Sequence, residues 1–294
     1  MQIIQSLAQV SAKYEVLLCD LWGCLHDGLH PFADAVAALQ KFRATGGVVI
    51  LLTNAPRPRD DVARQLARLK VPHDCWDEIA TSGDSARVAM FRGVVGQDVY
   101  HIGPDKDLGF FTPPADLADP QTIRRVPLTQ AEGIVCTGLF DDRHETPEDY
   151  RATLLYAKEK GLKLLCANPD IAIDLGAERL FCAGAIAALY TEMGGQSLYF
   201  GKPHPPIYDH ARRLLAGLGR TVDPTAMLAI GDGINTDIQG AMGEDLDSLF
   251  ITGGLAAAQT GTGPDPASQP DSAALSLFLD AKMLSPTYAI GHLR

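Results

Sequence analysis

No stretch of this 294-residue sequence approaches the roughly 20 consecutive apolar residues needed to cross a bilayer. Residues 1–13 also lack a continuous apolar core of signal-peptide length, and are expected to form a helix leading into the first strand. Basic residues are in deficit, 25 Lys and Arg against 36 Asp and Glu, for a net charge of −11. That balance argues against nucleic acid or an anionic membrane as partner. The six cysteines form no C-x-x-C pair, and several end apolar runs, so buried free thiols in a reducing cytoplasm are expected. There is no internal repeat, zinc-ligand spacing, G-x-S-x-G elbow or heptad seam. What is present is an ordinary globular composition, 46% hydrophobic, with length for one large or two modest domains.

The chemistry-bearing residues stand at the ends of short apolar runs. Val16-Leu17-Leu18-Cys19 stops on Asp20 and a glycine-bearing turn follows, the pattern of a buried parallel strand. In open α/β sheets the ligand crevice lies beyond the carboxyl ends of such strands, so Asp20 is a candidate nucleophile or metal ligand. A plain turn aspartate is the competing reading. Residues 46–54 end a second run on Thr53-Asn54, residues 197–203 a third on Gly201-Lys202, and residues 226–237 a fourth on Asp232, with Asp237 shortly after. Taken singly, Thr53-Asn54 and Gly233 suit turns, Lys202 a solvated surface, and Asp237 the cap of a helix starting near Thr236. The ordered series of acid, hydroxyl with amide, lysine and acid pair favours chemistry. Gly231-Asp232-Gly233 is no dinucleotide fingerprint, because Thr236 occupies the place of the third glycine.

That ordered set resembles the haloacid dehalogenase superfamily. Thr53-Asn54 and Gly201-Lys202-Pro203 resemble its class IIA branch, that of 4-nitrophenylphosphatase and NagD-type phosphatases. The resemblance implies an α/β fold, a Rossmann-like parallel-sheet core with an inserted α/β cap of the C2 type. The core would take residues 1–96 and 197–294, and the cap residues 97–196. It also implies a Mg²⁺-dependent hydrolase of small phosphorylated metabolites, working through an aspartyl-phosphate on Asp20. Asp20, the backbone carbonyl of Trp22 and Asp232 would hold the metal, with Asp237 ligating through water or orienting the others. Thr53 and Lys202 would bind the phosphoryl oxygens, and Asn54 would buttress Asp20 or the substrate. Asn168, Asp170 and Asp174 become substrate candidates, against the plain reading of a turn-forming Asn-Pro-Asp. A homodimer through the cap is compatible with the branch.

One position departs from the family pattern. Phosphatases of the superfamily usually carry a second aspartate two residues after the nucleophile, as acid for the leaving group. Here that residue is Trp22, and losing a positioned acid costs about 10²–10⁴-fold. His26 is the candidate replacement, with a flap histidine packing on the cap as the competing reading. Alternatively the leaving group needs no proton, or the reaction is C–P or carbon–halogen cleavage, or the chain binds a phosphometabolite without turnover. A Schiff base for C–P cleavage would need a cap lysine, and Lys158, Lys160 and Lys163 occupy positions where solvated lysine is the default. Arg57 and Arg59 are further phosphate candidates, though a solvated helix start neutralised by Asp60-Asp61 fits them better. Within the insertion, residues 99–103, 133–138 and 162–168 read as strands, and 147–160 and 184–193 as helices. Residues 256–272 read as a mobile connection, and 273–283 as a last amphipathic helix contacting the core through Leu275, Leu277 and Phe278.

Overall fold

The computed structural model describes residues 1–175 and 178–294, and the side chains of 174 and 175 are outside the described set. In chain order the strands are β1 (Gln2–Ile3), β2 (Val16–Cys19), β3 (Val48–Thr53), β4 (Glu78–Thr81), β5 (Asp98–Ile102), β6 (Arg124–Arg125) and β7 (Gly133–Cys136). They continue with β8 (Lys163–Cys166), β9 (Ala172–Leu175), β10 (Glu178–Phe181), β11 (Gln196–Tyr199), β12 (Met227–Gly231), β13 (Asp247–Ile251) and β14 (Tyr288–Ile290). The helices are α1 (Ala33–Ala44), α2 (Arg59–Arg68), α3 (Ser82–Phe91), α4 (Arg151–Glu159), α5 (Ala183–Glu192), α6 (Pro205–Gly217), α7 (Gln239–Gly243), α8 (Ala257–Thr260) and α9 (Ser272–Lys282). The chain divides into two units: Met1–Thr53, Ala63–Ala80 and Tyr208–Arg294 form one, Asn54–Val62 and Thr81–Ile207 the other.

The first unit is built on a seven-stranded sheet of order β1-β14-β13-β12-β2-β3-β4. The pairings from β1 through to β3 are parallel. Every residue of β2, β3 and β12 is buried, which is why these strands read as continuous apolar runs and not as alternating ones. From β2 the chain crosses to β3 on one side, while β12 pairs on the other. The order therefore reverses at β2, and the carboxyl end of β2 is the place where such sheets bind ligands.

The second unit carries a five-stranded sheet of order β11-β8-β7-β5-β6, all parallel, and a two-stranded antiparallel ribbon of β9 and β10. The strand period of two sorts its side chains. Ile134, Cys136, Leu164 and Cys166 pack with Leu154, Ile186 and Tyr190, from α4 and α5, on one face. Val135 and Leu165 pack with Met90, Phe91 and Phe110 on the other. The resulting architecture is a parallel-sheet α/β core with an inserted α/β domain.

Several expectations are corrected. The opening residues form no α-helix. They form the edge strand β1 and two 3₁₀ turns (Leu7–Gln9 and Ser11–Lys13), because Ile4, Leu7 and Val10 are buried at a spacing that suits turns. The run that ends on Lys202 is not a strand of the core sheet: β11 pairs with β8 in the five-stranded sheet. The second unit accordingly reaches Ile207 and takes in 54–62 and 81–96, wider than the expected 97–196. Residues 256–272 are ordered by α8 and by buried hydroxyls, Thr262 Oγ1 lying 2.8 Å from Thr252 Oγ1 and 2.9 Å from Thr260 Oγ1. In α9 the buried residues are Leu275 and Leu279, whereas Leu277 is 72% exposed.

Candidate active site

Three of the expected residues stand at the carboxyl ends of adjacent strands: Thr53 closes β3, Asp20 follows β2, and Asp232 follows β12. All three are buried. The Asp20 N–H donates to Ile230 O (2.8 Å), carrying the ladder one residue past β2 and fixing where the Asp20 side chain begins. Ligand atoms of Asp20, Asp232 and Cys24 all lie within 4.8 Å of one another. The Asp232 carboxylate accepts the Leu255 N–H (2.9 Å), and the backbones of Gly23 and Gly254 press against it. A Cβ on Gly23 would collide with that carboxylate, and its φ of +70° also favours glycine.

Asp237 is not part of this cluster. Its carboxylate accepts the Gly233 N–H (3.0 Å) and the Thr236 hydroxyl (3.3 Å), and lies against Gly231. It braces the loop that presents Asp232. The expected helix start near Thr236 is a single π-helical turn, Ile234–Ile238, running into α7.

Two buried carboxylates facing one another repel unless a cation lies between them. Their oxygens are hard donors and suit a small divalent ion such as Mg²⁺, so the residues fit the implied metal. Cys24 adds a softer donor. Burial, reinforced by the Asp232 and Asp20 charges, holds its thiol well above the usual range.

The turn after Asp20 shows what Trp22 and His26 do. His26 is 1% exposed; its N–H donates to Leu21 O (3.1 Å) and its carbonyl accepts from Gly23 (3.0 Å). Its Nδ1 accepts the Gly28 N–H (3.0 Å), and its ring meets the Trp22 indole edge-on at 5.3 Å. Gly28, at φ +88°, is the one residue type that fits beneath the Trp22 ring. Burial pushes the His26 pKa down to about 4, so the ring is neutral at pH 7 and its packing is that of a structural histidine.

The other expected residues gather in the second unit. Asn54 clasps Lys202: its Nδ2 donates to Lys202 O (3.1 Å) and its Oδ1 accepts the Lys202 N–H (2.7 Å). Lys202 is 2% exposed, and its peptide bond to Pro203 is cis. Asn54 Nδ2 also donates to Asp170 Oδ1 (2.8 Å), and Asn168 Oδ1 accepts the Asp170 N–H (3.0 Å). Asn168 and Asp170 thus build the expected turn and hold Asn54 in it. Asp174 lies on β9 opposite Arg179, and its side chain lies outside the described residues. The Arg59 N–H donates to Asp84 (2.9 Å), which pairs with the buried Arg87 guanidinium (2.7 Å). Lys158, Lys160 and Lys163 are exposed, Lys158 beside Glu159 and Lys160 over the Tyr156 ring.

Cys24 and the Gly254-Leu255 contact to Asp232 were not anticipated. The available signal was Gly253-Gly254, directly after the buried run that ends at Thr252.

Two family models match: haloacid dehalogenase-like hydrolase over residues 17–111, and HAD-hydrolase-like over 199–277. A crystal structure of a haloacid dehalogenase-like family hydrolase from Brucella suis is 38% identical, with TM-score 0.84, covering 99% of this chain and 100% of that one. This chain belongs to the haloacid dehalogenase-like hydrolase family. Within that family, D-glycerol 3-phosphate phosphatase of Mycobacterium tuberculosis is 26% identical over 285 residues, 95% of this chain and 75% of that protein. A glycerol phosphate phosphatase from the same organism, in complex with calcium, shares the fold: 24% identity, TM-score 0.63, 88% of this chain and 72% of that one. Among the described residues of this haloacid dehalogenase-like hydrolase, no helix is long and apolar enough to cross a membrane. All six cysteines are buried.

Proposed function

We propose that this hydrolase removes phosphate from a small phosphorylated metabolite, through an aspartyl-phosphate on Asp20 and with Mg²⁺ as cofactor. The observation that carries the reading is the convergence of Asp20 and Asp232 beyond the carboxyl ends of adjacent parallel strands. In the first half-reaction an Asp20 oxygen bonds to phosphorus, the ester P–O bond breaks and the alcohol departs. In the second, water cleaves the acyl phosphate and frees Asp20 and inorganic phosphate. Asp20, the Trp22 carbonyl and Asp232 would hold the Mg²⁺, which would supply the positive charge that lets a carboxylate approach an anionic ester. Asp237 orients the Asp232 loop. Thr53 and Lys202 bind phosphoryl oxygens, and Asn54, next to Thr53 in the chain, fixes the Lys202 backbone.

Trp22 shapes the reading. With no titratable group at that position and a neutral, packed His26, the departing alkoxide takes its proton from solvent, which lowers the rate expected on alkyl esters by about 10²–10⁴-fold against a site with a positioned acid. A polyol or sugar phosphate is the class supported by the relatives, and the cap would choose among its members. C–P or carbon–halogen cleavage on the same core is the second reading, favoured by Trp22 alone. The exposed insertion lysines and the paired carboxylates weigh against it. Six buried cysteines support a reducing cytoplasm; dimerisation through the inserted domain belongs to the same reading.

The test is inorganic phosphate release from a panel of phosphorylated metabolites, with and without Mg²⁺, beside Asp20→Asn. Metal-dependent release that disappears in Asp20→Asn is the expected result. No release from any ester by folded, Mg²⁺-binding protein would overturn the phosphatase and leave bond cleavage of another kind, or binding alone.

A further inference from the structure

Cys24 differs from the other thiols of the chain. Cys19 donates to Asp20 O (3.2 Å), Cys75 to Pro72 O (3.0 Å), Cys136 to Gly138 O (3.7 Å) and Cys166 to Asn168 O (3.2 Å). Cys182 lies in the inserted unit, away from any cluster of potential metal ligands among the described residues. Cys24 is 1% exposed and has no hydrogen-bond partner among the described residues. Its Sγ instead shares a 4.8 Å cluster with carboxylate oxygens of Asp20 and Asp232. Donors on one ion at ligand distances of about 2.0–2.3 Å stand at most about 4.6 Å apart, so the three atoms are near enough for one ion to draw them together. A buried thiol that lies this near two carboxylates, without a hydrogen bond to either, is positioned to be a ligand.

We propose that Cys24 gives the metal site mixed hardness: thiophilic divalent ions, Zn²⁺ and Cd²⁺ above all, gain a sulfur ligand beside the two carboxylates and compete there with Mg²⁺. This rests on the reading of Asp20 and Asp232 as the metal site. Hard Mg²⁺ takes oxygen donors and gains little from sulfur, whereas soft thiolate selects soft or borderline ions. On binding, the Sγ–H bond breaks, its electron pair goes to the metal and the proton leaves to buffer. The complex then carries one negative charge more from the protein than the Mg²⁺ form. Ions of this kind would hold the site against exchange, so the hydrolase is switched off by thiophilic metals through a residue within its own site.

The test is a Cd²⁺ titration of the full chain, following thiolate-to-cadmium charge-transfer absorption in the near ultraviolet, with Mg²⁺ as competitor. Wild type is expected to show a saturable band that Mg²⁺ suppresses. Cys24→Ser, nearly equal in volume, is expected to lose the band and to lower the ratio of Cd²⁺ to Mg²⁺ affinity by about tenfold or more. Should Cys24→Ser fail to fold, the cadmium NMR shift of the wild-type complex reports directly whether sulfur is a ligand. A band that persists in Cys24→Ser, or Cd²⁺ that competes with Mg²⁺ with no sulfur signature, overturns the role of Cys24 and leaves the Mg²⁺ site standing. Binding of both ions that is indifferent to Asp232→Asn overturns the metal site itself, and this inference with it.

Discussion

The two units handle buried polar groups in opposite ways. In the inserted unit, Asn54, Lys202, Asp170 and Asn168 answer one another, donor to acceptor, in a closed chain of hydrogen bonds. In the core unit, Asp20 and Asp232 bring the same sign of charge together, with the Cys24 thiol near both. Satisfied networks rigidify a structure; like charges gathered in low dielectric demand a cation or a reacting partner. Under the proposed mechanism the nucleophile and the metal ligands belong to the core cluster, while Asn54 in the inserted unit positions the Lys202 backbone.

The strongest way to break that contrast is to neutralise one acid in each unit. Asp20→Asn removes the proposed nucleophile and is expected to cut phosphate release by about 10⁴-fold or more. Asp170→Asn keeps a carbonyl oxygen to accept from Asn54, and is expected to retain most of the rate. Comparable losses in the two variants, measured as initial rates at saturating Mg²⁺, would move the chemistry out of the core cluster.

A subtler break uses Gly23. An added methyl meets the Asp232 carboxylate, and the backbone at φ +70° resists any side chain. Gly23→Ala is therefore expected to weaken Mg²⁺ binding by about 10–100-fold, the range seen when groups that orient metal ligands are lost. Calorimetric titration with Mg²⁺ measures it, and unchanged affinity would separate Asp232 from the metal.

Asn54→Ala tests the other side of the comparison. It strips the bonds to Asp170 and to both backbone groups of Lys202. Leaving such buried groups unanswered costs about 1–3 kcal/mol, read as a lowered urea midpoint. The expected signature is a stability loss with Mg²⁺ affinity near that of wild type, the reverse of Gly23→Ala.

How far the sequence foretold this depends on the range of the forces involved. β2, β3 and β12 were legible because full burial on both faces leaves unbroken apolar runs, and Asp20, Thr53 and Asp232 were legible as their abrupt polar ends. The sheet to which β11 belongs was not, since Ser197-Leu198-Tyr199 pairs with β8 through backbone bonds that leave no mark on side-chain pattern. Cys24 was hidden for a related reason: one residue within a turn tells nothing of which strand end it will face. The edge strand β1 is two residues long, too short for any periodicity. His26 has two roles open in the sequence, and the structure shows its ring buried edge-on against Trp22.

The smallest expected effect concerns acid. His101, in the inserted unit, lies 3.0 Å by Nε2 from the Thr137 hydroxyl and edge-on to Phe111 at 5.0 Å. Burial, helped by the nearby Arg125, pushes its pKa from 6.5 down to about 4. The unfolded chain protonates this ring near pH 6.5, and the folded chain does so only near 4. Between those values the unfolded state binds more protons, so stability falls as pH falls through that window and levels off below it. Above 6.5 the contribution is complete. His101→Gln, which can still reach Thr137, is expected to flatten the slope of melting temperature against pH between 7 and about 4. It does not abolish the slope, because His26 is also held near 4 and burial lowers His204. An unaltered slope in the variant would show that His101 titrates alike in both states. The inserted unit would then hold a solvated ring where the structure shows one packed against Phe111.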